Sequence, residues 1–459
     1  KITNLSLLSL AYALSVICAK LFFGRVVVRN KKNVPLKGPL IIVANHRNMI
    51  LDAGMVRYSC RRNLYYLAKH TLFTNKLSGW IFRRANGIPI YRREDDPNMV
   101  SKNEDSFREV YKLFEAGKCL NVFPEGVSLA SASLLKIKTG AARMAISAEI
   151  KNNFSLDMKI IPVGINYSNP SRFKSEVFID YGDPICINNY QEISKNNFKE
   201  ATTLITNKIE ESLLKLTTNL SFIQLEDTIS YLKVIYKNDL IHKDTIAQKD
   251  LDDFKITKDM IDAVEWYLKK KPSITESYIL MISRYMRYLE KLKLDDRLII
   301  SKGAGKPKLL PEKTLEALWF IAQFPIYFYG FVNNFIAYNI SAAEVYNKNI
   351  DEVEIAQYKF FIGLSVFTFF YGFQTFLVFY FTQSFNWALI YLLALIPSGN
   401  FALNYHSNMI SYLKEFRMFR IFLKRSDIIN DLKDQRLKII GFIQTAISDF
   451  EKYKGQDEK

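Results

Sequence analysis

Three apolar runs in the last third of the chain, Leu318 to Ile340, Phe360 to Phe381 and Trp387 to Leu403, restrict its fold more than any other feature of the 459 residues. The first two are each long enough to cross a hydrocarbon core of roughly 30 Å as a helix. All three are dense in aromatics and nearly free of charge, which points to a membrane rather than to the interior of a soluble domain. Pro397-Ser398-Gly399 interrupts the third run, and Pro325, Asn333 and Asn334 lie within the first. The tail beyond them carries Lys414, Arg417, Arg420, Lys424 and Arg425, which the positive-inside tendency assigns to the cytoplasmic face. An odd number of full spans would put that tail opposite a cytoplasmic domain upstream. One run, the first or the third, is therefore expected to be re-entrant or interfacial. A further apolar stretch, Leu5 to Phe23, precedes the basic segment Arg25 to Lys32. It has no basic region before it and no small-residue cleavage site after it, so it reads as a retained anchor rather than a signal peptide.

Charge sets the next bound. The formal net charge is +17 although 49% of residues are hydrophobic. No zinc spacing, RRM-type aromatic signature or helix-turn-helix accompanies the basic residues, so nucleic acid is not the expected partner. An anionic membrane surface or a phosphorylated substrate is. Cys18, Cys60, Cys119 and Cys186 are scattered without a CxxC, which gives neither a disulfide framework nor a metal site.

Upstream of the apolar runs the texture divides in two. From Asn33 to about Ile187, strand-like segments (Ile41–Ala44, Leu64–Ala68, Ile88–Tyr91, Cys119–Phe123, Ile160–Ile165, Val177–Ile179) alternate with helical ones (Leu72–Ala85, Ser101–Ala116, Thr139–Ile150). That alternation predicts an α/β fold, a mixed sheet flanked by helices, with chemistry at strand ends. From about Tyr190 to Lys313 apolar residues recur at three- and four-residue spacing among Lys, Asp and Glu, which predicts amphipathic helices. Gly303-Ala304-Gly305-Lys306 lacks the spacing of a phosphate loop and reads as a linker. The expected organisation is 1–32, an N-terminal membrane-associated helix; 33–190, the α/β domain; 191–315, the helical region; 316–406, membrane-embedded helices; and 407–459, a basic helical tail.

Within the α/β region, Ile41-Ile42-Val43-Ala44 delivers Asn45 and His46 to a strand end, and Asp52 follows six positions after the histidine. A histidine takes a proton near neutral pH, and a carboxylate on its other ring nitrogen sets tautomer and orientation. Three more fragments follow in order: Gly87-Ile88-Pro89-Ile90-Tyr91-Arg92, Phe123-Pro124-Glu125-Gly126-Val127-Ser128 and Ile161-Pro162-Val163-Gly164. Together the four fragments resemble the conserved blocks of the glycerophospholipid acyltransferase family. Leu67-Ala68-Lys69-His70 and Lys136-Ile137-Lys138-Thr139-Gly140 are also similar to family sequence. The resemblance covers about residues 33 to 187. It departs in two places: with the motif arginine on Arg92, Asn86 stands where the family often has Gly, which leaves Arg93 as the alternative, and five residues separate His46 from Asp52 where the family usually has four, with Asn48 two after the histidine. This is similar to the variant of fungal-type glycerol-3-phosphate acyltransferases and related bacterial proteins.

The resemblance implies a glycerolipid acyltransferase-like domain that moves a fatty acyl group from acyl-CoA or acyl carrier protein, with no further cofactor and no metal, to glycerol-3-phosphate or dihydroxyacetone phosphate. The product would be lysophosphatidate. Acylation of lysophosphatidate is the alternative, and an inactive membrane scaffold a second one. Acyl transfer needs an activated hydroxyl, so His46 is the expected base and Asp52 its orienting partner. Asn45, Asn48 or main-chain N–H groups are candidate oxyanion donors. Arg92 is the first choice for the substrate phosphate, with Arg93, Lys69 and Lys138 behind it. Glu125 is expected to accept from a glycerol hydroxyl, with Gly126 allowing close approach and Ser128 alongside. His70 reads as a structural neighbour. The expected setting is an integral membrane protein of the bacterial inner membrane or the endoplasmic reticulum, its catalytic domain facing the cytoplasm.

Overall fold

A computed structural model of the chain describes residues 23–92, 101, 103–128, 133–169, 175–220, 225–242, 253–300, 310–347 and 352–457. The chain divides into two compact units, Lys1–Asn219 with Ile350–Phe360, and Leu220–Asn349 with Phe361–Lys459. Arg93, Gly303–Lys306 and the anchor up to Phe22 lie outside the described residues.

In the first unit the described residues form one eight-stranded sheet. Its strands are β1 (Arg25–Arg29), β2 (Leu40–Ala44), β3 (Leu64–Lys69), β4 (Gly87–Ile90), β5 (Cys119–Val122), β6 (Lys159–Tyr167), β7 (Glu176–Tyr181) and β8 (Ile185–Cys186). They are arranged β1-β7-β6-β2-β5-β3-β4, with β8 paired to β6. From β6 to β4 the neighbours are parallel, whereas β7 and β8 are antiparallel to β6, which makes the sheet mixed as expected. Helices α1 (Met49–Ser59), α2 (Lys76–Arg84), α3 (Asn103–Glu115) and α4 (Gly140–Lys151) supply the crossovers, and α5 (Gln191–Asn196) and α6 (Phe198–Leu216) follow the sheet.

β2 reads as an unbroken apolar run because both its faces are covered. Ile41 and Val43 pack with α3, α4 and α6, while Leu40, Ile42 and Ala44 pack with α1. The strand is central, hydrogen-bonded to β5 on one side and β6 on the other. Every strand from β6 to β4 therefore ends at the same sheet edge, where parallel α/β sheets bind ligands.

Two sequence expectations change here. Arg25 to Lys32 is not simply a basic flank: Arg25–Arg29 forms the edge strand β1, parallel to β7, with Arg25 facing Glu176 at 4.0 Å. Leu72–Ala85 is not one helix but a 3₁₀ turn, His70–Phe73, followed by α2, because Asn75 caps α2 by accepting from the Leu77 N–H at 2.9 Å.

The second unit is helical: α7 (Glu226–His242), α8 (Asp253–Lys270), α9 (Pro272–Leu292), α10 (Asp296–Ile300), α11 (Leu310–Asn347), α12 (Glu352–Thr382, from Phe361 on), α13 (Phe385–Lys424) and α14 (Ser426–Asp457). Three stretches, Thr314–Ser341, Gln357–Thr382 and Phe385–Ile421, are long and apolar enough to cross a membrane. Pro397-Ser398-Gly399 does not break the last of them. α13 is continuous through Pro397, and α11 packs closely there: a Cβ on Gly330 would lie 2.2 Å from the Ser398 carbonyl oxygen. Small residues at such a crossing let helix backbones approach in lipid.

Candidate active site

β2 ends at Ala44, and the four residues before α1 are occupied by a network that shapes the turn. The Asn45 side chain extends the β2–β6 ladder one step. Its Nδ2 donates to the Ile165 carbonyl at 2.9 Å and its Oδ1 accepts from the Ile165 N–H at 2.7 Å. The Asn45 Oδ1 and one of its two Nδ2 hydrogens are thereby engaged in holding the turn. Arg47 is tied to the segment after α6, donating to the Thr218 carbonyl at 2.5 Å.

His46 Nδ1 lies 2.9 Å from Asp52 Oδ2, and the imidazole stacks on Phe123 with ring centroids 4.0 Å apart. The residue added between histidine and aspartate is absorbed at the start of α1. Met49 takes a left-handed φ of 45°, and Asp52, in the first turn, reaches back to accept from the Asn48 N–H at 2.7 Å. That contact has the logic of a capping box, a carboxylate inside the helix satisfying the N-cap amide. The next amide, Met49 N–H, donates to Ser128 Oγ at 3.2 Å.

Asp52 is fully buried and is held by three donors. The third is Tyr167, whose hydroxyl donates to Oδ1 at 2.6 Å from the end of β6. Burial, and then the neighbouring Asp52 charge, push the Tyr167 phenol well above its ordinary pKa, so it stays a donor. Tyr167 was not foreseen. The only sequence hint is its place four residues after Val163, in the last of the four blocks, which two-residue alternation puts on the same sheet face.

Glu125 follows β5, the strand beside β2. Its Oε1 accepts from the His46 N–H at 2.7 Å and its Oε2 from the Leu135 N–H at 3.0 Å. With 5% of its surface exposed, it is a strut between two main-chain segments. Burial raises its carboxyl above the ordinary range, opposed by those two N–H bonds. Gly126 has φ 76°, and Lys138 runs across it: a Cβ at that position would meet Nζ at 2.7 Å. Lys138 also donates its N–H to the Pro124 carbonyl at 2.9 Å. The fold thus brings one expected phosphate-binding cation to the turn that holds His46.

Lys69 ends β3 and Arg92 stands two residues beyond β4, both at this edge. At about 4.8 Å per strand, Arg92 leaves the sheet roughly 14 Å from β2 and Lys69 roughly 10 Å. His70 stacks on Tyr91 at 4.8 Å, while Asn103 accepts from the Tyr91 N–H at 2.8 Å and donates to its carbonyl at 2.7 Å, which fixes the chain next to Arg92. A histidine held through Nδ1 keeps Nε2 for a proton, and the surrounding edge carries cations for an anionic substrate.

A family model described as Acyltransferase matches residues 25–166. Among curated proteins, glycerol-3-phosphate O-acyltransferase 2 of Saccharomyces cerevisiae is 32% identical over 26% of this chain and 16% of its own length. The 1-acyl-sn-glycerol-3-phosphate acyltransferase of Bacillus subtilis is 26% identical over 27% of this chain and 57% of its own. The crystal structure of the 1-acyl-sn-glycerophosphate acyltransferase of Thermotoga maritima aligns with 45% of this chain and 80% of its own at 19% identity, with a TM-score of 0.34. The match spans under a fifth of the length of the first yeast relative.

Proposed function

Because the chain carries, over residues 25–166, a domain of the glycerophospholipid acyltransferase family, we propose that it transfers a fatty acyl group from an acyl thioester to glycerol-3-phosphate or dihydroxyacetone phosphate, giving lysophosphatidate in the first case. The observation that carries the mechanism is the His46–Asp52 hydrogen bond of 2.9 Å at the carboxyl edge of the parallel strands. In this reading His46 Nε2 removes the acceptor hydroxyl proton as its oxygen attacks the thioester carbonyl. Asp52 stabilises the imidazolium, and collapse of the tetrahedral intermediate expels the thiolate, which takes that proton. No covalent acyl-enzyme is needed. Lys138, Lys69, Arg92 and Arg93 supply the positive charge for phosphate, and Glu125 acts by holding the His46 main chain.

Two features favour glycerol-3-phosphate as acceptor. The five-residue spacing departs from the usual family motif, and the relatives at 32% and 30% identity are both named glycerol-3-phosphate O-acyltransferases. Lysophosphatidate is the second reading, favoured by the bacterial relatives, which are matched over 57% and 60% of their lengths. The test supplies the purified chain with labelled glycerol-3-phosphate or lysophosphatidate, each with acyl-CoA and with acyl carrier protein thioester, beside His46→Ala. Incorporation into glycerol-3-phosphate and a loss of at least about 10²-fold in the variant are expected. Incorporation only into lysophosphatidate would overturn the acceptor, and unchanged activity in the variant would overturn the mechanism.

A further inference from the structure

The β3–β4 crossover presents a face that the fold leaves uncovered. α2 turns its inner side to the domain through buried Gly79, on which a Cβ would meet the Phe73 carbonyl oxygen at 2.8 Å, with Ser78 and Phe82 half-buried beside it. Its outer side shows Leu77, Trp80 and Ile81, at 68%, 57% and 49% exposure, on one face by their three- and four-residue spacing. The Arg84 guanidinium lies over the Trp80 ring, 5.3 Å from its centroid, and Arg83 lies over Phe73 at 5.6 Å. Lys76, Arg83 and Arg84 are all exposed.

Single exposed apolar residues are ordinary on any protein surface. Here three are contiguous and lie in a basic stretch of the sequence: residues 53–93 contain nine Lys and Arg and no Asp or Glu. A tryptophan flanked by arginine and leucine is the composition of a segment lying in a membrane interface, the apolar rings at the acyl boundary and the cations among phosphates. A second copy of this chain is a poor occupant, since pairing the face with itself would bring Lys76, Arg83 and Arg84 against their own kind. The same chain has three helices long and apolar enough to cross a membrane.

We propose that the outer face of α2 rests on a phospholipid leaflet containing anionic lipid, with Leu77, Trp80 and Ile81 entering the interface and Lys76, Arg83 and Arg84 meeting headgroup phosphates. This contact would bring the edge of β3 and β4 to the lipid phase, and it stands independently of which acceptor is acylated. It is read with the full chain in vesicles of phosphatidylcholine and phosphatidylglycerol at about 3:1, with and without bromine on the phosphatidylcholine acyl chains. Subtracting the emission of Trp80→Phe, which keeps an exposed aromatic ring, isolates the Trp80 signal from Trp266, Trp319 and Trp387. Bromine is expected to reduce that signal at least twofold, and Lys76→Gln/Arg83→Gln/Arg84→Gln to diminish the quenching by a similar factor. A Trp80 signal equal in brominated and plain vesicles would overturn the assignment. So would disulfide-linked pairs of Trp80→Cys formed in the bilayer, which would give the face to a second copy.

Discussion

Asp52 shows how few groups decide the behaviour of a buried carboxylate. It accepts from His46, the Asn48 N–H and the Tyr167 hydroxyl, and the last of these draws charge away from the oxygen pair that faces the imidazole. In Tyr167→Phe the buried Asp52 loses one of its three donors. A hydrogen bond to a charged group is worth about 1.5–3 kcal/mol, so kcat/KM at neutral pH should fall about tenfold or more. A kcat/KM equal to the parent's would overturn that role for the hydroxyl. His46 and Asp52 were legible because six positions of chain hold both partners. Tyr167 was not, because its contact depends on β6 lying beside β2 across 115 residues of sequence.

At the scale of elements, the site is held by a strut rather than by one strand. Glu125 joins the turn after β5 to the His46 amide and to the segment before α4. In Glu125→Gln an amide NH₂ must face one of those two N–H donors, and an orphaned buried donor costs about 1–3 kcal/mol. The pH dependence follows from the raised carboxyl. Folding favours the protonated form, so this stabilising contribution is complete below the ordinary carboxylate pKa of about 4.3 and is lost as pH rises through the higher folded value. The unfolding midpoint of Glu125→Gln, measured against the parent from pH 4 to 7, should lie furthest below it at the acidic end. A gap that widens toward pH 7 would contradict the reading. The motif was visible in the sequence, but not its occupancy by main chain, since which amide a carboxylate meets is decided by strand order. β1 was hidden for another reason. Its arginine ends resemble the charged flank of an anchor, and an edge strand needs only its middle to be apolar.

The whole molecule constrains its own path through a bilayer. α7 to α10 precede the three apolar helices in the chain and α14 follows them, yet they form one bundle. Arg436 on α14 donates to Asp239 at 3.3 Å and to Asp296 at 3.0 Å, both buried. Lys414, near the end of α13, pairs with Asp295 at 2.9 Å, and Tyr267 on α8 donates to Asp449. A bundle with so many charged residues on its surface belongs to one aqueous side. In a bilayer both ends of the apolar segment are then expected on that side, with an even number of complete crossings, two of the three helices. Gln383 and Ser384, the two residues between α12 and α13, are uncharged, so that turn crosses at little expense. If α11 crossed as well, Lys348, Asp351, Glu352, Glu354 and Lys359 would be drawn to the far side or into the apolar phase. From charge alone α12 and α13 are expected to form the spanning hairpin, while α11, which carries Pro325, Asn333 and Asn334, packs along α13 through Phe320–Tyr405 and Asn333–Tyr391. Cysteines placed singly at Ser277, Ser384 and Lys452 and exposed to a membrane-impermeant maleimide read this directly. Positions 277 and 452 should label from one side and 384 from the other. Labelling of 277 and 452 from opposite sides would mean that an odd number of helices crosses, and the Arg436 cluster could not then join α14 to α7 and α10.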